Sequence, residues 1–190
     1  MKEDLFAALL THVPFDGWTD AALRRAAEDV GMDAALARDY FPDALTMIDH
    51  HHRLTDAAMV MPGEGGVTAK VRAAILSRFA YVAKDREAVR RALHFLALPT
   101  NLYAATKMSY RSADAIWSVV GSEDQGFDWV TKRTSLLGVY GATLLFWLSD
   151  KGKDQAALEA YLDTQLDRLL KVMRPIGQVR ERFTGVFSTR

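Results

Sequence analysis

A chain of 190 residues and 21.2 kDa is the size of one domain, with room for a small appended lobe. With 49% hydrophobic and 25% charged residues, it has apolar material for a sizeable core, which excludes an intrinsically disordered chain. A formal net charge of zero and the absence of cysteine exclude a global attraction to nucleic acid, a disulfide scaffold, a thiol nucleophile and thiolate metal sites.

The N-terminus, Met1-Lys2-Glu3-Asp4-Leu5, is acidic from the start and carries neither a signal-peptide core nor an Arg-rich, acid-poor transit sequence. The expectation is a cytoplasmic protein, peripherally associated with the inner membrane if bacterial. The longest apolar stretch, Thr134 to Leu148, is shorter than the roughly 20 residues of a spanning helix and reads as a core helix.

Helical patterns dominate the chain, with apolar residues three and four apart and five prolines placed mostly at breaks. A first helix is predicted from Lys2 to about Val13, ending ahead of Pro14. Thr19 is a suitable N-cap for a second, which Gly31 ends; Asp33 caps a short third to about Asp39, and Asp43 opens a longer fourth toward Met61. Met61-Pro62-Gly63-Glu64-Gly65-Gly66 reads as the clearest loop. Helix five carries Val71, Ile75 and Phe79 inward, with Lys70, Arg72 and Arg78 assigned to its other sides. A sixth runs from about Asp85 to Ala97 and a seventh from about Thr100 to Val120. After a polar loop, Phe127 to Ser149 is apolar nearly all round, as a central helix requires; the last helix carries Leu158, Leu162, Leu166 and Leu169 until Pro175 interrupts it. The expected fold is an all-α helical bundle of about nine to ten helices.

Helices two and three, with a glycine turn between them and Tyr40-Phe41 behind, have the order of a helix-turn-helix. Gly17, Thr19, Gly31, Tyr40 and Phe41 stand where TetR-type N-terminal domains carry such residues, so the bundle looks TetR-like. The predicted organisation is a TetR-like helix-turn-helix region over 1–61 and a helical lipid- or ligand-binding and dimerisation region over 62–190.

Charge argues against operator binding. Residues 1–50 hold four basic and ten acidic side chains, and the second helix of the pair offers only Arg38 as a base-reading donor. Residues 66–111, by contrast, hold nine basic and two acidic ones. That zone suits anionic lipid headgroups, an acidic partner or a plain solvated surface. Near the C-terminus, Val179, Phe183, Val186 and Phe187 share one helical face flanked by arginines, a pattern that suits contact with a membrane surface and equally docking on the protein's own core.

Leu98-Pro99-Thr100-Asn101, Trp117, Gly121 and the run Phe127-Asp128-Trp129-Val130-Thr131-Lys132-Arg133, together with the opening Val13-Pro14…Gly17-Trp18-Thr19 and Tyr140, resemble the coenzyme Q (ubiquinone) biosynthesis family called Coq-nine. The resemblance extends from about Leu5 to Arg174. It implies a TetR-like fold without DNA binding and an apolar cavity for isoprenoid lipid. It also implies peripheral delivery of a quinone intermediate to a di-iron hydroxylase. The family's partner patch is an Asp-Phe-Asn-Trp-Tyr-Thr-Arg-Arg run, onto which Phe127, Trp129, Thr131 and Arg133 map; Gly126 and Val130 depart from it.

From spacing alone, Trp129 and Arg133 lie one turn apart and suit either an exposed interface pair or a helix turn packed on the core. Trp117, Leu137, Tyr140, Gly141 and Leu144 are candidate cavity lining, or ordinary core. The triplet His50-His51-His52 points in three directions about 100° apart, which does not make a metal site, and it is expected to form a solvated, weakly pH-sensitive face. No nucleophile elbow, phosphate loop or dinucleotide fingerprint occurs.

The sequence therefore predicts a non-enzymatic lipid-binding accessory protein of ubiquinone biosynthesis, without metal or cofactor. Its expected partners are an isoprenoid quinone or other lipid, a hydroxylase, a membrane surface and a second copy of itself, but not nucleic acid. The alternatives are a TetR-type regulator with a small-molecule pocket and a ligand-binding module of unrelated biology.

Overall fold

The structure, a computed structural model, describes residues 1–60, 63–120, 127–149 and 154–187; for 127–129 and 172–187 it describes the backbone helix alone. It is all-α. Helices α1 (Lys2–Asp16), α2 (Asp20–Asp29), α3 (Ala34–Tyr40) and α4 (Ala44–Ala57) are followed by α5 (Val67–Tyr81), α6 (Arg86–Leu96), α7 (Leu102–Val120), α8 (Phe127–Leu148) and α9 (Gln155–Phe187). Short 3₁₀ turns at Ala83–Asp85 and Pro99–Asn101 lead into α6 and α7.

Local chemistry starts the early helices where the sequence places them. The Thr19 hydroxyl accepts from the Ala22 N–H at 3.2 Å, Asp33 from the Ala35 N–H at 2.8 Å and Asp43 from the Thr46 N–H at 2.7 Å. Each satisfies a donor that a helix N-terminus leaves unpaired. α2 ends in a Schellman turn: Met32 N–H reaches the Ala27 carbonyl at 2.8 Å and Gly31 N–H reaches that of Glu28 at 3.1 Å. The turn needs the left-handed backbone that Gly31 supplies at φ 65°.

Three boundaries differ from the sequence expectation. α1 continues through Pro14 to Asp16: Val13 is fully buried and its carbonyl takes the Gly17 N–H at 2.9 Å, so packing overrides the local preference of a residue preceding proline. α4 stops at Ala57, short of Met61, and the chain turns to bury Met59 in a neighbouring core. α9 passes through Pro175 without a break, leaving out the one hydrogen bond that proline cannot donate. The loops at Gly121–Gly126 and Asp150–Lys153 fall outside the described residues.

Two apolar clusters organise the bundle. One joins α1–α4, α6 and the start of α7 around Leu5, Phe6, Leu9, Phe41 and Ile48. Trp18 anchors the α1–α2 junction to α6 by donating its indole N–H to the Ala88 carbonyl at 3.0 Å. The second cluster joins α5, the end of α7, α8 and α9 around Ile75, Phe79, Ile116, Leu136, Trp147 and Leu162.

The basic zone is largely spent between helices. Arg72 bonds Asp163 at 2.5 Å and Glu159 at 3.0 Å on α9. Arg86 and Arg90 donate to the Ser149 and Leu148 carbonyls at 2.8 and 2.7 Å, capping the C-terminus of α8 where cations are favoured. In the helix-turn-helix-like segment, Arg38 forms a two-pronged pair with Asp20 at 2.6 and 2.8 Å. The single base-reading donor on α3 is therefore already neutralised by a carboxylate of α2.

Candidate functional site

Helices α4 to α8 surround a cavity of about 440 Å³, lined by members of both clusters and within the usual size of small-molecule sites. Most of its wall is apolar, with Val89, Ala92, Leu93 and Leu96 from α6 facing Leu137 and Leu144 from α8. Its polar lining comprises His51, His52, Thr55 and Arg78 from α4 and α5, Tyr140 of α8, and Thr106, Ser109, Tyr110 and Ser112 along α7.

Arg78 is only 1% exposed. The sequence reading turns it outward, yet its position three residues after Ile75 and four after Ala74 is on the inward face of α5. Its guanidinium forms a close ion pair with Asp56 of α4, lies 3.4 Å from both the Tyr140 hydroxyl and Ser112 Oγ and sits over the Tyr140 ring. Tyr140 stacks in turn on Phe79, with centroids 5.5 Å apart. Burial works against the charge on Arg78, but Tyr140 and Asp56 outweigh it and its pKa is raised. Arg111 of α7 completes the network with a 2.5 Å bond to Asp49 and an approach of 3.6 Å to Asp56.

The three histidines fan inward instead of forming a solvated face, because α4 has packed neighbours on successive sides. His50 meets Phe6 edge-on at 4.6 Å, His51 lies against Trp18 at 5.7 Å and His52 lines the cavity. Burial lowers the pKa of His50, with Glu3 opposing. For His52, burial first and then the positive charge of Arg78 bring it to about 4. His52 is therefore a neutral imidazole at physiological pH. Among the described residues no group of three or more His, Cys, Asp or Glu is placed to hold a metal ion.

The residues proposed from sequence as lining do not all meet. Leu137, Tyr140, Gly141 and Leu144 line the large cavity, whereas Trp117 lines a second one of about 240 Å³ between α5, α7, α8 and α9, beside Leu136 and Leu166. A Cβ on Gly141 would meet nothing within 4 Å, so this glycine leaves room in the cavity and does not serve a close helix approach. In the proposed partner patch, Arg133 is buried and ion-paired with Asp114 of α7, Thr131 is half-buried and Val130 is 46% exposed. The side chains of Phe127 and Trp129, and of Val179, Phe183, Val186 and Phe187, lie outside the described residues.

Residues 102–173, which supply α7, α8 and much of α9, match the COQ9 family profile. Similar over 95% of this chain is the mitochondrial ubiquinone biosynthesis protein COQ9 of Rattus norvegicus, 25% identical, with 62% of that protein covered. The chain is similar to the COQ9 family. The Bos taurus COQ9 is also 25% identical over 95% of the chain, and the Drosophila melanogaster COQ9 is 23% identical over 99%. The chain spans about three-fifths of the length of these COQ9 relatives.

Sequence reasoning missed His51, His52, Asp56, Arg78 and Ser112 as a group. Two signals were present: an arginine on the apolar face of α5, and a His52–Asp56 pair one helical turn apart on α4. Replacing Asp56 by alanine strands a buried guanidinium and is expected to cost about 3 kcal/mol or more, whereas Arg78→Met combined with Asp56→Leu should cost clearly less than Asp56→Ala alone. Urea denaturation of the two variants checks this, and a double variant less stable than the single one would refute it.

His52 also sets a pH dependence. Its folded-state pKa of about 4 lies below the ordinary histidine value of about 6.5, so the fold favours the neutral form. Its contribution is complete above the unfolded pKa and is lost as pH falls toward about 4, up to about 3 kcal/mol in all. The stability gap between the wild type and His52→Leu should therefore shift by that order between about pH 7 and about pH 4.5; parallel denaturation curves would rule out the assignment.

Proposed function

We propose that this protein is a non-enzymatic accessory factor of ubiquinone biosynthesis that binds an isoprenoid quinone intermediate and presents it to a hydroxylase at a membrane surface. The observation that carries the reading is the mainly apolar cavity between α4 and α8, in a chain whose relatives are named ubiquinone biosynthesis proteins. An apolar wall favours a hydrocarbon tail through the hydrophobic effect. No helix among the described residues is long and apolar enough to cross a membrane, so membrane contact on this reading is peripheral, through the face that carries Val179, Phe183, Val186 and Phe187.

Mass spectrometry of organic extracts from gently purified protein tests the cargo. Isoprenoid quinone or its precursors should be enriched over an unrelated helical protein, and Gly141→Leu, which fills the cavity from α8, should reduce the yield severalfold. Extracts indistinguishable from the control would overturn the reading.

Homodimerisation through α8 and α9 belongs to the same proposal, supported by Leu145 at 63% and Leu170 at 38% exposure on those helices. The hydroxylase is proposed to dock at the start of α8, around Trp129, Val130 and Thr131. Size-exclusion chromatography with light scattering should give a dimer mass alone and a heavier species with a di-iron ubiquinone-pathway hydroxylase. A monomer mass removes the dimer, and no heavier species removes the docking.

A further inference from the structure

The turn between α6 and α7 carries an apolar patch on a rigid frame. Leu98 is 49%, Leu102 53% and Tyr103 82% exposed, with Pro99 exposed between them. Single exposed apolar side chains are ordinary, but adjoining ones mark a contact surface. The inward positions around them are already taken: Leu96 and Met108 are buried in the first apolar cluster, with Phe95, Ala104 and Ala105 packed against it.

Hydrogen bonds brace this turn. Leu98 has the extended backbone, φ −64° and ψ 139°, that a following proline favours. Asn101, only 9% exposed, donates its side-chain amide to the Phe95 carbonyl at 2.8 Å, and its backbone N–H reaches the Leu98 carbonyl at 2.9 Å. Apolar side chains presented on a fixed backbone need little ordering when they dock, which lowers the entropic cost of contact.

Charge and the cavity together name the occupant. From Ala88 to Ala113 the sequence has no acidic residue, while Arg90, Arg91, Lys107 and Arg111 fall within that stretch. The three arginines are drawn to Glu87, to Asp49 and to the end of α8. Lys107, exposed one turn after Tyr103, pairs with no carboxylate among the described residues. A tyrosine beside leucines, with a cation one turn away and no anion, has the composition that suits a lipid headgroup boundary. The large cavity opens at the same place, since Ala97, Leu102 and Thr106 both line it and are exposed. A protein docked here would close that opening, whereas a bilayer continues its apolar wall into acyl chains.

We propose that the α6–α7 turn is a membrane-inserting lip. Leu98, Leu102 and Tyr103 enter the headgroup boundary of an anionic bilayer with Lys107 toward its phosphates, so that the cavity opens directly into lipid. The inference rests on the carrier reading for what passes the opening, and adds to it a contact independent of the C-terminal face that carries Phe183 and Phe187. A hydrocarbon tail then moves between bilayer and cavity without crossing water, which removes its most unfavourable step.

Because the chain has no cysteine, a single one can be introduced for labelling. Tyr103→Cys and, as control, Ala35→Cys, exposed on α3 in the acidic N-terminal region, each receive an environment-sensitive fluorophore. Both are mixed with vesicles of phosphatidylcholine, alone or with an equal part of phosphatidylglycerol. The label at 103 should brighten severalfold on the mixed vesicles, less on the neutral ones, and be quenched by brominated acyl chains, while the label at 35 stays unchanged. In the unlabelled full chain, Leu98→Asp with Tyr103→Asp should weaken vesicle co-sedimentation about tenfold or more, and Lys107→Glu severalfold. These side chains are exposed, so the melting temperature should hold.

Vesicle binding that leaves the label at 103 unchanged would overturn the inference and assign membrane contact to the C-terminal face. So would equal responses at 103 and 35. Brightening at 103 with rising protein concentration and no vesicles would also overturn it, giving the turn to a second copy of the chain. A wild type that binds neither kind of vesicle would remove this inference and the membrane contact of the proposed function together, while the organic extracts decide the cargo separately.

Discussion

The buried guanidinium of Arg78 is the constraint around which this bundle is arranged. From α5 it reaches Asp56 on α4, Ser112 on α7 and Tyr140 on α8, so one side chain sets the relative placement of four helices that come from distant parts of the chain. A buried ion pair of this kind adds little net stability, since desolvation offsets much of the attraction, but it penalises arrangements that leave the charge unmatched. Hydrophobic contacts alone would tolerate sliding of α4 against α5; the paired charge tolerates far less. The same geometry holds Tyr140 flat against Phe79.

What was legible in the sequence was what short-range chemistry decides. The caps at Thr19, Asp33 and Asp43 and the turn at Gly31 follow from the three or four residues around each, and the structure forms them. The all-α class and the family motifs are of the same kind, pattern carried in contiguous stretches. Pro14 and Pro175 were misjudged because a proline's local preference is about as large as the burial of one or two side chains, and which of them prevails depends on what lies across the helix.

The polar lining of the cavity was illegible for a different reason. His51 and His52 look alike as members of a surface triplet until the positions of Trp18, Arg78 and Tyr140 are known, and those come from other helices. Likewise Trp117 and Leu137 read as one lining set, but they sit on helices facing different neighbours and open onto separate spaces. Arg72, Arg86 and Arg90, which form a basic strip in the sequence, prove to be internal ties to α9 and to the end of α8.

In the helix-turn-helix-like segment the one arginine of α3 is paired with a carboxylate of α2. Reading DNA requires cations presented on α3 toward phosphates and base edges. Here Arg38 pairs with Asp20; Leu23, Ala26 and Ala37 bury in one cluster with Phe41 and residues of α1, while α4 sets His50 against Phe6 of that cluster and brings His51 and His52 to the cavity. Of the first four helices α4 is the one that lines the cavity, through His51, His52 and Thr55. The segment's part in the fold is thus to carry α4 to the cavity from the far side of the first apolar cluster.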